Sequence, residues 1–304
     1  MMMTTSVAPF RLKPWFSERP WGKRDLKPWY SSTGTNELVG EAWLTGPQCV
    51  VETGPLAGRT LSSVGAELEE EFPLLVKLLF PAEKLSVQVH PDDAQARALG
   101  ETRGKTECWY VLEAEPGAVV ALGLKPGVDV IRVKAAVADG TMESLLEWVP
   151  VSVGDMLFVD AGTVHAIAPG VVLLETQQTS DVTYRLYDYG RPRELHLEKG
   201  LQVIKTKTAA GKVAPRAMNG FTRLMEKKYF VVDRFDVGTG EVRVAIDGPG
   251  CLVGLTGGGA VRWDGVEVEL KVAQAVVVPV GEVTVAADST VSFMRCVAPP
   301  LTVS

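Results

Sequence analysis

Only three histidines and four cysteines occur in the 304 residues, so each can be weighed singly. The longest apolar stretches, Leu74 to Phe80 and Ala275 to Val280, fall far short of the roughly 20 residues that span a bilayer. No membrane partner is expected. Met1 to Phe10 lacks both a charged n-region and an adequate apolar h-region, so no secretory signal is expected either. Cys49, Cys108, Cys251 and Cys296 show no close pairing, which favours reduced thiols and a cytoplasmic protein. Dense basic runs are missing, and Lys+Arg 31 against Asp+Glu 37 leaves a net charge of -6. That argues against a nucleic-acid partner, while a few local cations still admit a small anionic ligand. With 46% hydrophobic and 22% charged residues, disorder is excluded and the length suits two domains.

Glycine and proline, by contrast, are plentiful: thirty and nineteen, spread between many short β-rich runs. This pattern favours sandwiches or barrels over bundles, so the expected class is mainly β. Strands are expected at Lys84 to His90, Glu107 to Glu113, Met156 to Val159, Val171 to Thr176 and Thr183 to Tyr187. Beyond about Phe221 the pattern is almost purely β, in seven runs from Tyr229 to Cys296. Helices are expected at Leu61 to Phe72, at Asp92 to Leu99, in two pieces across Asp129 to Trp148, and at Glu194 to Ile204. The expected organisation is a first domain over 1–204 with a helical insertion at about 92–148, a linker over 205–220, and a second β domain over 221–304.

A repeat supports this division. Gly154, Asp160, Gly162 and His165 follow the spacing Gly-x5-Asp-x-Gly-x-x-His; Ala273, Pro279, Gly281 and Thr284 follow Ala-x5-Pro-x-Gly-x-x-Thr. Both resemble the second motif of cupin barrels, Gly-x5-Pro-x-Gly-x-x-His. The first copy keeps the histidine and the second does not, so the chemistry is expected in the first domain, with the second free of metal.

Three short segments carry chemistry-bearing residues. In Lys84-Leu-Ser-Val-Gln-Val-His90, strand alternation sets Lys84, Ser86, Gln88 and His90 on one face and Leu85, Val87 and Val89 on the other. The polar row either meets water or lines a barrel interior. In Gly104-Lys-Thr-Glu107, Lys105 and Glu107 share a face, either as a solvated pair or as a carboxylate ligand beside a substrate-binding cation. His165 ends the Gly154 turn. A Gln/Glu/His set would suit a borderline metal such as zinc, although this spacing matches no generic zinc motif. His196 reads as a partly exposed or capping histidine on the connecting helix.

Longer blocks carry a specific resemblance. Gly40-Glu-Ala-Trp43, Phe72-Pro-Leu-Leu-Val-Lys-Leu-Leu79, Lys84 to Asp93, Gly104-Lys-Thr-Glu-Cys-Trp-Tyr110, Gly162-Thr-Val-His-Ala166, Leu174 to Tyr189 and Arg193-Glu-Leu-His196 occur in this order. In that order they resemble the type I mannose-6-phosphate isomerases, and among them the short bacterial branch. The likeness runs from about Trp21 to Ile204; the last hundred residues match in size and β pattern only. It implies two cupin-like β-barrel (jelly-roll) domains with a small helical insertion and one zinc ion in the first. By position it implies zinc ligands at Gln88, His90, Glu107 and His165, and an essential arginine at Arg185. Asp181 falls on the family's acidic position and Lys105 on its active-site lysine, with Ser86 and Lys77 around the substrate. Two departures stand out: Asp160 replaces the usual proline, and Gly104 stands where longer members have histidine.

The implied reaction interconverts mannose 6-phosphate and fructose 6-phosphate by moving a proton between C2 and C1 through an enediol(ate). Such an oxyanion needs strong electrostatic help. With Gln88 and two neutral histidines, Glu107 is the one anionic donor, so a zinc site would stay electrophilic. Lys105, Ser86 and Arg185, then Lys77 and Lys84, are the candidates for phosphate. Arg185 has a plainer reading as a structural partner of Asp188, and Lys77 as half of a buried ion pair. Asp181, Lys105 and a zinc-bound water remain open as the proton-transferring base. Trp21 and Trp43 could line the sugar pocket. An iron-dependent cupin oxygenase and a non-catalytic sugar-phosphate sensor are the alternative functions on such a scaffold.

Overall fold

A computed structural model describes residues 7–68 and 70–300. Four antiparallel sheets of eight, seven, five and four strands carry most of the chain. The seven-stranded sheet runs in the order 211–213, 156–159, 107–114, 171–178, 74–79, 39–43 and 15–23. Facing it, the five-stranded sheet runs in the order 184–187, 87–89, 165–167, 119–124 and 146–150. None of the four closes into a barrel among the described residues.

The apolar clusters show how these layers stack. Leu79, Trp109, Val111, Leu157 and Leu173 from the seven-stranded sheet share one cluster with Val120, Leu122 and Ile167 from the five-stranded sheet. The outer face of the five-stranded sheet carries Val87, Val89, Ala121, Ala166 and Leu186. These pack beneath Val133 and Ala136 of the helix Val130–Asp139 and Val203 of the helix Leu197–Val203. The opposite face of the seven-stranded sheet packs on the eight-stranded sheet, joining Ala42, Leu78, Cys108 and Leu174 to Val232, Cys251, Val277, Met294 and Cys296. A four-stranded sheet covers the far side of the eight-stranded one over a valine-rich core. Helix, sheet, sheet, sheet, sheet is therefore the order through the molecule. The two inner sheets are buried on both faces, which is why Leu74–Leu79, Val171–Gln178 and Val291–Val297 are buried at every position.

Several expected elements differ. The helix expected over Leu61 to Phe72 is a single 3-10 turn, Leu61–Val64; Gly65 and Pro73 leave too few residues to nucleate more. The strand expected over Lys84 to His90 is the three residues Val87–Val89, and Glu194 to Ile204 is helical over Leu197–Val203. Within 205–220, Gly211–Val213 pairs with Met156–Val159, and Arg216–Ala217 pairs with Thr222–Glu226. The N-terminal strand Phe10–Lys13 pairs with Ala275–Val278, so the chain's beginning lies in the sheet built mostly from its end.

The repeat is visible in the backbone. Gly154 and Ala273 both take positive φ, at 93° and 56°, and Gly162 and Gly281 do so at 90° and 126°. Asp160 does the work of the missing proline by hydrogen bonding: its carboxylate accepts from Thr163 Oγ1 at 2.9 Å and from the Ala209 N–H at 3.2 Å. His165 is fully buried, whereas Thr284 sits half-buried between the buried Val283 and Val285 that fill the second core.

Candidate active site and metal centre

Strand register assembles the site in rows. Across the seven-stranded sheet, Trp43, Lys77, Glu175 and Trp109 lie opposite one another, and Gln177 lies opposite Glu107 in the next row. Across the facing sheet, Gln88 sits between Arg185 and His165. Polar residues on both inner faces thus meet where the apolar cluster stops. Of the expected polar row, Ser86, Gln88 and His90 turn inward, while Lys84 turns away to pair with Glu143. Val87 and Val89 go under the helices.

His90, Glu107 and His165 converge, with ligand atoms all within 4.8 Å of one another. The Nδ1–H of His90 donates to the Val182 carbonyl at 2.8 Å, and that of His165 to the Thr163 carbonyl at 2.9 Å. These bonds fix the tautomers and leave both Nε2 lone pairs facing the Glu107 carboxylate, at 3.6 and 3.5 Å. Burial, with Lys105 nearby, holds the His90 pKa well below its ordinary value; burial lowers that of His165 to about 4. Both rings are neutral at pH 7. Both Glu107 oxygens are buried: Lys105 Nζ meets Oε2 at 2.6 Å as an ion pair, while Oε1 has no hydrogen-bond partner among the described residues. Besides the carboxylate, the His90 Nε2 lone pair meets Lys105 Nζ at 3.1 Å, so a cationic side chain already sits against this buried donor set. Two nitrogens and a carboxylate suit zinc. Gln88 lies on the cavity side of this cluster, its amide nitrogen 3.2 Å from His165 Nε2.

The cluster opens through Gln88 and Lys105 onto a cavity of about 410 Å³. Its walls bring together Ser86, Lys77, Asp181 and Arg185, all singled out from sequence, and add Glu41, Glu175, Arg19, Arg193 and Thr183, which were not. Trp21 lines it as well. Trp43 is not on the wall: its ring lies beside Lys77 Nζ and its Nε1–H donates to Glu41 at 2.7 Å.

Charges inside the cavity are largely matched. Lys77 lies 3.3 Å from Glu175 and 3.8 Å from Glu41, and Lys105 lies 3.4 Å from Glu175. Burial, with Glu107 close by, raises the Glu175 pKa. Arg185 is not the partner of Asp188. That carboxylate is held by Arg191 at 2.8 Å and Arg193 at 2.6 Å, while Arg185 donates to the Glu194 carbonyl at 2.7 Å and keeps a buried Nε–H without a partner. His196 stands at the N-terminus of its helix with no side-chain cap there; its Nδ1 accepts from the Arg185 N–H at 3.3 Å. Asp181 is exposed on the rim and forms no ion pair among the described residues.

The missed acids left a signal. Lys77 within Leu-Leu-Val-Lys-Leu-Leu and Glu175 within Val-Val-Leu-Leu-Glu-Thr are single opposite charges in apolar strands. Such intrusions are tolerated when they face each other, as these two do.

Comparison with known proteins decides the family. Residues 50–122 match the model for the phosphomannose isomerase type I catalytic domain. The mannose-6-phosphate isomerase of Streptococcus mutans is 34% identical over 271 residues, which cover 82% of this chain and 85% of that protein. The chain belongs to the mannose-6-phosphate isomerase family. The crystal structure of the mannose 6-phosphate isomerase from Bacillus subtilis superposes with a TM-score of 0.84 at 30% identity, over 95% of this chain and 99% of that one. A zinc-bound mannose 6-phosphate isomerase structure shares the fold at 16% identity, with a TM-score of 0.75 over 96% of this chain and 100% of that one. Like these isomerases the chain is mainly β, and among the described residues no helix is long and apolar enough to cross a membrane.

Proposed function

We propose that this chain is a zinc-dependent aldose–ketose isomerase that interconverts mannose 6-phosphate and fructose 6-phosphate in the cytoplasm, with neither nucleic acid nor membrane as partner. The observation that carries the reading is the buried His90–Glu107–His165 cluster, opening through Gln88 onto a cavity rimmed by arginines. Family membership favours the isomerase over an oxygenase or a sensor. The repeated Gly154 and Ala273 turns support two cupin-like halves, 1–204 and 221–304, joined by 205–220.

One zinc ion, held by Gln88, His90, Glu107 and His165, would supply Lewis-acid stabilisation for negative charge on the sugar oxygens. The remaining groups divide by their charge environment. Lys77 and Lys105 are already matched by Glu41, Glu175 and Glu107, which suits them to hydroxyls and a developing oxyanion more than to a dianion. Among the described residues Arg185 has no carboxylate partner, and Arg193 shares Asp188 with Arg191, so both rim guanidiniums are open to an anion. The phosphate is assigned to Arg185 and Arg193, with Thr183 and Ser86 as hydroxyl donors. Lys105 is held as a proton donor by two carboxylates and His90 Nε2. Asp181 keeps its lone pairs for the cavity and is assigned the proton transfer between C2 and C1.

Turnover is measured as fructose 6-phosphate formed from mannose 6-phosphate, for the wild type and for Glu107→Gln. The variant removes the anionic donor while keeping the shape of the side chain, so bound zinc and turnover are expected to disappear together. A zinc-free Glu107→Gln that turns over at the wild-type rate would contradict the assignment.

A further inference from the structure

We propose that Tyr229, from the eight-stranded side of the molecule, positions the metal cluster and Lys105 by fixing the carboxylate of Asp93. The proposal rests on the metal-dependent reading above. Tyr229 directly precedes Phe230, whose ring is buried between the seven- and eight-stranded sheets. Its hydroxyl donates to Asp93 Oδ2 at 2.7 Å across a sequence separation of 136 residues. Asp93 opens the helix Asp93–Ala98, three residues after His90.

The other oxygen of Asp93 does the stapling. Oδ1 accepts the Gly104 N–H at 2.9 Å and the Gln178 Nε2–H at 3.0 Å. Gln178 passes the constraint on: its Oε1 accepts the Thr106 N–H at 3.0 Å, and its own N–H donates to the Thr106 carbonyl at 3.2 Å. Between the bonded N–H groups of Gly104 and Thr106 lies Lys105, whose own N–H donates to the Pro91 carbonyl at 3.0 Å. Residues 104–106, leading into Glu107, are thereby tied to the turn leaving His90. Two ligands and the active-site lysine share one hydrogen-bonded corner, and Asp93 is its common acceptor. A carboxylate bonded through one oxygen alone can rotate; the charge-assisted bond from Tyr229 to the second oxygen removes that freedom. The eight-stranded sheet has no residue on the cavity wall, so this strut gives it a part in the site.

Tyr229→Phe deletes the bond and keeps the packing. Zinc affinity is measured on the full chain by competition with a chromophoric chelator, alongside kcat and KM for mannose 6-phosphate. Tyr110→Phe serves as the matched control, because its hydroxyl accepts from Arg234 Nη1 at 2.7 Å, linking the same two sheets away from the corner. Orienting partners one bond beyond a metal ligand typically change affinity by 10- to 100-fold. Tyr229→Phe acts from further out, through Asp93 and Gln178 onto the backbone of 104–106, and is expected to bind zinc about tenfold more weakly, the low end of that range, with kcat reduced and KM within about twofold. Tyr110→Phe is expected to keep the wild-type zinc affinity. Unchanged zinc affinity in Tyr229→Phe, or an equal loss in Tyr110→Phe, overturns the strut while leaving the metal reading intact. A wild type that retains no zinc overturns both.

Discussion

Glu41 illustrates how single residues in the cavity set their own ionisation. Burial raises its pKa, but Lys77 and Arg19, with the Trp43 Nε1–H bond, outweigh that and lower it from 4.5 to about 2. A folded pKa below the unfolded one adds stability that is present above the ordinary value and is lost as pH falls through the folded one. Wild type and Glu41→Gln should therefore differ most at neutral pH, by up to about 3 kcal/mol. The gap should close between pH 4.5 and about 2. Urea unfolding across that range checks it, and a gap independent of pH would refute the charge account. At this scale the sequence is readable where a residue type is rare: two of the three histidines stand in the cluster and the lysine inside an apolar run lines the cavity beside it, while His196 belongs to neither. Glu41 and Glu175 were harder, because a carboxylate gains meaning only from the cation a neighbouring strand brings to it.

Among the elements, the turn from His90 to the strand Glu107–Ala114 matters most. Gly104 is close-packed there: a Cβ would stand 2.5 Å from the Asp92 carbonyl carbon and 2.6 Å from the Pro91 carbonyl oxygen. The histidine that longer relatives carry at this place does not fit this backbone. Gly104→Ala should cost about 1–3 kcal/mol, the usual toll of overpacking, and should shift Lys105 with it. Thermal unfolding and KM for mannose 6-phosphate report the two effects; an alanine variant with wild-type values of both would show the corner to be looser than described. Strand alternation at Ser86, Gln88 and His90 was legible because a period of two holds even in three ordered residues. Whether that row met water or an interior was not legible, since the answer depends on the sheet opposite. Asp160 stands where the motif has proline, and its hydrogen bonds with Thr163 and Ala209 hold the turn instead.

For the whole molecule, composition and punctuation pointed to β structure, as found; the division into two halves rests on the repeat alone. The stacking of sheets was beyond reach. Strands buried on both faces lose the alternation that reports their orientation, and Phe10–Lys13 pairs with a strand more than 260 residues away. Such long-range pairing has no local signature. The layered stack explains why the polar rows of two sheets confront each other around the His90–Glu107–His165 cluster. The most direct test of this account follows fructose 6-phosphate formation from mannose 6-phosphate before chelation, after it, and after zinc is restored. Turnover that vanishes with the chelator and returns with zinc is the predicted result. Folded, zinc-loaded protein that never converts mannose 6-phosphate would contradict it.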